Sequence, residues 1–397
     1  MLDTLLGFLT GGLTDAPWWV ILIVFVFATQ FTNLCVTLYL HRAMAHRGLD
    51  LHPVVSLPMR AWVWLTTGMI TREWVAVHRK HHAFCEREGD PHSPQIFGIK
   101  KVLWHGVALY RTEALCEETV EKYGHGCPND WFERYLFRFS WIGPTITLFV
   151  DVALFGAIGL TFWALQMIWI PMGAAGVING LGHYVGYRNF ATEDTSTNLV
   201  PWGLALGGEE LHNNHHAFPS SAKFALKPWE FDIGWAAIQL MSALGLAEVR
   251  RVAPALTREA DLEIDDETLR AVFVHRFSVM ADYCREVIRP AVAEEAARAR
   301  GTLGRMRGQA RKLLTGNQRF FDERKQERLS QVLEESQVLA TVYEYRLRLA
   351  SLWDRSTTDP EALLASLRQW CREAEETGIA ALRDFARSMG QYRLATT

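Results

Sequence analysis

WWVILIVFVFATQFTNLCVTLYLHRAMAH, residues 18–46, is the stretch that decides the fold. Its leading part, residues 18–40, carries no charge, and about 20 such residues cross a hydrocarbon core of ~30 Å. Trp18 and Trp19 stand where one interface would lie and Tyr39 near the other, the placement of aromatic belts. The run lacks the basic head and small-residue cleavage site of a secretory signal. His41 and His46 follow directly, so these rings work at a membrane surface.

Outward from there, residues 141–182 are apolar for about twice that length, broken only by Asp151. Gly156 and Gly159 near the middle predict a helical hairpin of two spans, about 141–160 and 161–182. Asp151 is a candidate for function inside a span, or a group reaching polar neighbours near a span end. Val54–Thr71 is apolar too, but Arg60 and Arg72 make it a poor span. It reads as an interfacial helix over about 54–71, or one half-buried beneath the spans. Leu5–Leu13 is too short to cross. Residues 1–17 hold Asp3 and Asp15 but no Lys or Arg, whereas 41–140 hold Arg42, Arg47, Arg72, Arg79, Lys80, Lys100 and Lys101. The positive-inside rule then puts the N-terminus outside and residues 41–140 in the cytoplasm. The hairpin returns the chain, so everything after about residue 183 is cytoplasmic too.

The 14 histidines carry the chemistry. Eight stand in three clusters: His41-Arg-Ala-Met-Ala-His46, His78-Arg-Lys-His81-His82 and His212-Asn-Asn-His215-His216. His183 follows Asn179 by four residues at the inner end of the hairpin. Positions i, i+3 and i+4 share a helix face, so HxxHH can converge three imidazoles on one point. HxxxxH cannot do so on a regular helix, and fraying at the helix end would let both rings reach inward. Imidazole suits iron, zinc or copper, and this many ligands exceed what one ion takes, so two metals are expected. His52, His105, His125 and His275 lie outside the pattern and read as polar surface or interface groups. Cys85 beside the second box reads as packing.

The order HRAMAH, HRKHH, NGLGH, HNNHH resembles the integral-membrane fatty acid desaturases, closest to the stearoyl-CoA (acyl-CoA Δ9) type. Glu73-Trp74, Gly89-Asp90-Pro91-His92, Gly186-Tyr187-Arg188, Gly208-Glu209 and Ala217-Phe218-Pro219 extend the likeness, which covers about residues 18–250. The resemblance implies two irons held by His41, His46, His78, His81, His82, His183, His212, His215 and His216, with Asn179 reaching one through water. It implies dioxygen as co-substrate, a cis double bond, Δ9 by the family's type, and a long saturated chain carried as acyl-CoA or phospholipid. No cytochrome b5 signature HPGG is seen, so electrons are expected from a separate ferredoxin- or cytochrome-type donor with its reductase. Trp74, Asp90, His92, Gly176, Arg188 and Trp229 are candidate substrate residues. Against the family, the first span is expected to be missing or reduced here to residues 1–13, and Ala175 and Gly176 replace a Thr-Trp pair of the animal enzymes. A side-chain base cannot take a proton from an unactivated methylene, so a redox metal pair is needed. A di-iron hydroxylase or acetylenase stays open as the alternative, with Gly176 leaving room for another chain pose. A metal transporter fits less well, because transporters place ligands near the bilayer midplane.

Composition joins these parts. The chain of 397 residues is 49% apolar and 21% charged, with a net charge of -3. That excludes a disordered chain and gives no reason to expect a nucleic-acid partner. Six scattered cysteines without CxxC read as reduced thiols. A mean hydropathy of -0.00 averages two unlike regions. From about residue 251 the chain turns Arg/Glu-rich, with a linker over 250–266 and helices over about 266–299, 320–354 and 360–389. Asp359-Pro360 is a helix start. Apolar stripes of Leu329, Val332, Leu339, Tyr343, Leu347 and of Leu363, Leu367, Trp370, Leu382, Phe385 predict an antiparallel bundle. Arg298, Arg300, Arg305, Arg307, Arg311 and Lys312 read as a solvated face, or else as a contact for anionic lipid or an acidic donor. The expected architecture is therefore all-α. Residues 1–250 would form a transmembrane helical bundle with a cytoplasmic histidine-box di-iron domain, and 251–397 a cytoplasmic charged helical appendage. A bacterial inner membrane is the expected location.

Overall fold

The computed structural model describes residues 2–260, 263–298, 307–353 and 359–395. They form two units, one of Met1–Arg188 with Asp194–Ala253, the other of Asn189–Glu193 with Pro254–Thr397. Both are mostly helical. Among the described residues, the departures from the all-α expectation are three two-stranded ribbons of two or three residues each and one isolated bridge between Tyr187 and Asn198.

In the first unit, α1 (Leu2–Gly11) precedes α2 (Trp18–Cys35), which continues as a π-helix over Val36–Ala45. The outer face of α2 exposes Trp18, Leu22, Ile23 and Phe27, as a lipid-facing helix would. Trp18–Ala45 and Ala157–Leu181 are long and apolar enough to cross a membrane. The hairpin turns at Gly156 (φ 68, ψ -143), and its first leg, α8 (Ile142–Phe155), has 14 residues. At 1.5 Å per residue it spans about 21 Å, short of a ~30 Å core, so the third expected crossing is not met by length. The segment after α1 packs on that turn: Leu13 N donates to Ala153 O at 2.9 Å and Thr14 Oγ1 to Leu154 O at 2.6 Å.

Between the long helices run α3 (Pro53–Thr67), α4 (Thr71–Phe84), α5 (Pro94–Phe97), α6 (Ile99–Ala114) and α7 (Glu117–Tyr123). The His52 side chain caps α3 by accepting from Val54 N. This helix buries Met59, Arg60, Val63 and Trp64, and Arg60 donates to Asp130 at 2.6 Å. Arg60, one of the two charges that argued against a span, is thus buried and paired with the half-exposed Asp130, while its Nε has no hydrogen-bond partner among the described residues. After α9 (Ala157–Ile170) another π-helix covers Pro171–Leu181, followed by α10 (His212–Ala217) and α11 (Ile233–Ala243). Leu49–Leu51 pairs antiparallel with Ala247–Val249, and Trp202–Gly203 parallel with Phe231–Asp232.

The second unit has its own core, centred on Tyr283, Leu339, Leu349, Leu367, Trp370 and Phe385. Each expected long helix is interrupted: at His275 (φ -105, ψ 27), at Ser336 (φ -145, ψ 111) and at Gly378 (φ 73). Leu329, Val332, Leu339 and Tyr343 are buried, but Leu347 from the same expected stripe is 45% exposed. Leu256–Arg258 pairs antiparallel with Tyr392–Leu394. Arg298 is exposed and paired with Glu294 and Glu295, and Arg311 and Lys312 are exposed. Arg300 and Arg305 lie outside the described residues, and Arg307 is described by its backbone alone.

Candidate metal centre

The end of α2 does not fray. It widens into the π-helix, where His46 N donates to His41 O at 3.0 Å. This is the i→i+5 bond of a π turn, and it brings five-residue spacing onto one face, with ring centroids 4.9 Å apart. On α4 the HxxHH box does not converge on one point. His78 and His82 turn toward His41, His46 and His215, while His81 turns to a second group. In the first group His46 Nε2 lies 2.7 Å from His78 Nε2, and His215 Nε2 lies 3.1 Å from His41 Nε2 and 2.9 Å from His82 Nε2. Candidate ligand atoms of all five residues fall within 4.8 Å of one another. His41 Nδ1 faces the Glu209 carboxylate at 2.6 Å, so its proton sits there and Nε2 points inward as a lone pair. The single Nε2 of His215 can give a proton to only one of its two neighbours. Converging lone pairs of this kind fit a cation.

The second group brings His81, Cys85, His183 and His216 within 4.8 Å of one another, with His212 beside them. His183 Nε2 is 2.9 Å from His212 Nε2, and the His212 and His216 rings are 4.4 Å apart. Cys85 Sγ, expected as packing, lies 3.9 Å from both His81 Nε2 and His216 Nδ1. Three carboxylates orient the rings from outside: Asp90 on His81 Nδ1 (3.0 Å), Glu86 on His183 Nδ1 (3.0 Å) and Asp194 on His216 Nδ1 (3.0 Å). With Nδ1 so engaged, His216 Nε2 is buried without a partner, an orphan that a bound ion would satisfy. Glu86 adopts φ 58, rare for a non-glycine residue, and its carboxylate also accepts from Thr195 N and Oγ1. Asn179 sits half-buried in the π-helix Pro171–Leu181, four residues before His183.

Burial, with neighbouring imidazoles adding to it, holds His46, His78, His82, His212 and His215 well below the ordinary imidazole value. These rings are therefore neutral, the form that ligates. Burial pushes His216 down to about 4, with Asp194 opposing. Asp194 itself is held well below the carboxylate range, because His216 outweighs the cost of its burial.

The expected substrate residues scatter. Trp74 stacks on His78 with centroids 4.9 Å apart and planes at 11°. Asp90 and His92 are buried in the second group, the His92 ring lying 4.4 Å from that of His81. Arg188 is exposed and donates to Asp194 O at 2.9 Å, and Trp229 is 62% exposed. Gly176 opens no space, because a Cβ there would meet Leu103 O at 2.8 Å. An open cleft of about 500 Å³ is lined by Tyr39, Met44, Leu51, Leu57, Arg60 and Trp131. Sequence reasoning missed Glu86, Asp194 and Thr195, and noted Glu209 without its role. Their only sign in sequence is a charged or hydroxyl residue close to a box. His52, His105, His125 and His275 join neither group among the described residues.

Comparison with known proteins gives the family. A fatty acid desaturase family model matches residues 16–232, more than half of the chain, and a transposase family model matches 272–396 in the second unit. The Arabidopsis thaliana Delta-9 desaturase-like 5 protein is 32% identical over 243 residues, covering 57% of this chain and 78% of the relative. The Delta-9 desaturase-like 2 protein of the same plant is 34% identical over 235 residues (54% and 72%). Its Delta-9 acyl-lipid desaturase 2 is 31% identical over 238 residues (58% and 74%). With its histidine boxes gathered in the matched region, the chain belongs to the fatty acid desaturase family and is an oxidoreductase of that kind.

Proposed function

We propose that this desaturase uses two iron ions and dioxygen to insert a cis double bond at Δ9 of a long saturated acyl chain. The observation that carries the reading is the sorting of eight histidines into two groups, with His212 against His183 in the second and carboxylates orienting four of the rings from outside. His41, His46, His78, His82 and His215 would hold one ion. His81, His183, His212 and His216 would hold the other, with Asn179 contributing through water. When bound, the iron pair supplies the oxidising chemistry that removes hydrogen from an unactivated methylene pair. The chain's own residues do the rest. Glu209, Asp90, Glu86 and Asp194 fix ring tautomers and orientation, burial keeps the imidazoles neutral, and the packed π-helices exclude water.

The substrate is an acyl chain carried on phospholipid or CoA. The name of one relative, an acyl-lipid desaturase, favours a lipid-borne chain over CoA. The cleft beside Tyr39 and Met44 is the candidate entrance, since both residues lie on the π-helix that bears His41. Electrons come from a separate ferredoxin- or cytochrome-type protein with its reductase, on the cytoplasmic side of a bacterial inner membrane. The hydroxylase alternative loses the room at Gly176 that supported it, because the Leu103 carbonyl fills that space. The test is lipid profiling with double-bond localisation in a host that makes no unsaturated lipid, supplied with iron and a working reductase. Wild type should yield a Δ9 product and His215→Ala none. A hydroxylated product, or no new double bond from wild type, overturns the reading.

A further inference from the structure

Among the imidazoles of the second group stands a sulfur. Cys85 follows the last residue of α4 and lies four positions after His81, the spacing that brings two side chains to one helix face. Its Sγ is 3.9 Å from His81 Nε2, the nitrogen that turns inward because Asp90 holds Nδ1 from outside. It is equally 3.9 Å from His216 Nδ1, which Asp194 holds. A nitrogen and a sulfur bound tetrahedrally to one ion, at roughly 2.1 and 2.3 Å from it, stand roughly 3.6 Å apart. Cys85 and His81 are therefore already near the separation that a shared ion sets. The turn that places the thiol is built into the site. Cys85 leaves the helix at φ -41, ψ 114, Glu86 follows at φ 58, and Glu86 N donates to Asp90 Oδ2 at 2.6 Å. Glu86 then reaches His183 Nδ1 at 3.0 Å. This one turn carries the carboxylates that orient two rings of the group, and its left-handed residue persists because those contacts over-determine it. A separate observation points to an ion. His216, whose Nε2 is buried without a partner among the described residues, belongs to the same set within 4.8 Å.

We propose that Cys85 is a thiolate ligand of the second metal group, which makes that group a mixed nitrogen–sulfur site beside an all-imidazole first group. The inference rests on the metal reading of both groups. Binding forms one metal–sulfur bond, breaks the S–H bond and releases one proton to solvent, with no change of oxidation state. The ion's charge offsets the one that a thiolate adds beside Asp90, Glu86 and Asp194. Sulfur is a softer donor than imidazole, and the five residues of the first group include none. The two groups therefore differ in the ions they prefer, the second favouring softer ones such as zinc or cuprous copper. Cys85 is half-buried, so a small alkylating reagent reaches the thiol when no ion covers it.

The test uses the full chain in detergent, stripped of metal and titrated with cobalt(II), whose thiolate complexes absorb by sulfur-to-metal charge transfer. Wild type should bind two cobalt ions, and the charge-transfer band should grow with one of them. Cys85→Ser should lose the band and keep the first group's ion. It should hold the second ion at least about 10-fold less tightly, since the loss of even an outer partner costs about 10–100-fold. Cys116→Ser, which removes a half-buried thiol outside both groups, should leave the band and both affinities as in wild type. A second measurement needs no variant: iodoacetamide labelling located by peptide mass. In wild type, cobalt should protect Cys85 and leave the labelling of Cys116 unchanged. Two bound cobalt ions without the band, a band that survives Cys85→Ser, or labelling of Cys85 that cobalt does not slow overturns the proposal and leaves the metal reading standing. A wild-type chain that binds no cobalt overturns the metal reading itself, and the proposal with it.

Discussion

Replacing Arg42 with Met should lower the unfolding temperature of the histidine-bearing unit by roughly 6–20 °C. Arg42 stands inside the first box, and its side chain and that of Asp232 are both 0% exposed. Its terminal nitrogens grip the Asp232 carboxylate at 2.9 and 3.0 Å and also donate to Ala222 O at 2.8 Å and Gly207 O at 3.0 Å. The guanidinium lies 3.8 Å from the Phe224 ring centroid, and that ring packs 4.9 Å from His215 and 5.6 Å from His41. Methionine keeps much of the side-chain length but strands the Asp232 carboxylate, which retains the Phe224 and Trp235 N–H groups as donors. Removing one partner of a buried ion pair costs about 3–5 kcal/mol. A unit of this size shifts by about 2–4 °C per kcal/mol, which gives the range stated. The assay is thermal unfolding at a fixed scan rate for wild type, Arg42→Met, Asp232→Asn and the double variant. The double should lose less than the sum of the singles, because the second change removes the charge that the first stranded. A shift under about 2 °C for Arg42→Met, against the 6–20 °C expected, or strict additivity in the double variant, refutes the argument.

Glu209→Gln should weaken retention of the first group's ion by about 10–100-fold in chelator competition, because His41 loses the carboxylate that orients it; unchanged retention would remove Glu209 from that role. Gly106→Ala should destabilise by about 1–3 kcal/mol, since a Cβ there would stand 2.5 Å from Ala175 O in the packed π-helix. Gly7→Ala, a helical position with nothing within 4 Å, should instead gain about 0.5–1 kcal/mol. Opposite-signed shifts in unfolding temperature are the readout. After chelation, stability should fall as pH drops below about 6.5. His46, His78, His82 and His215 sit well below that value when folded and take up protons near it when unfolded. The unfolded chain then binds more protons, so each such group contributes a slope of up to about 1.4 kcal/mol per pH unit. A flat unfolding profile from neutral pH to about pH 5 would count against neutral, buried rings.

The histidines were legible because a metal's demand is for residue types, and type survives in a bare sequence. Their partition was not. HxxHH carries the i, i+3, i+4 relation of one helix face, yet His81 parts from His78 and His82 because the α4 face lies between the two histidine groups. The HxxxxH spacing was rightly foreign to an α-helix, but the remedy was a π turn, a change of helix type that no propensity forecasts. Gly176 shows the complementary error. A missing side chain was read as space for substrate, whereas its absence admits the backbone of α6. Glu86 and Asp194 were invisible for a different reason: their partners lie 97 and 22 residues away, so only the fold brings carboxylate and ring together. Residues 189–193 extend the same point. Five residues inside the family's matched region group with the second unit, a division that the change of composition at about residue 250 does not mark. A composition shift records where solvent exposure changes along the chain; it does not record which core a short loop enters.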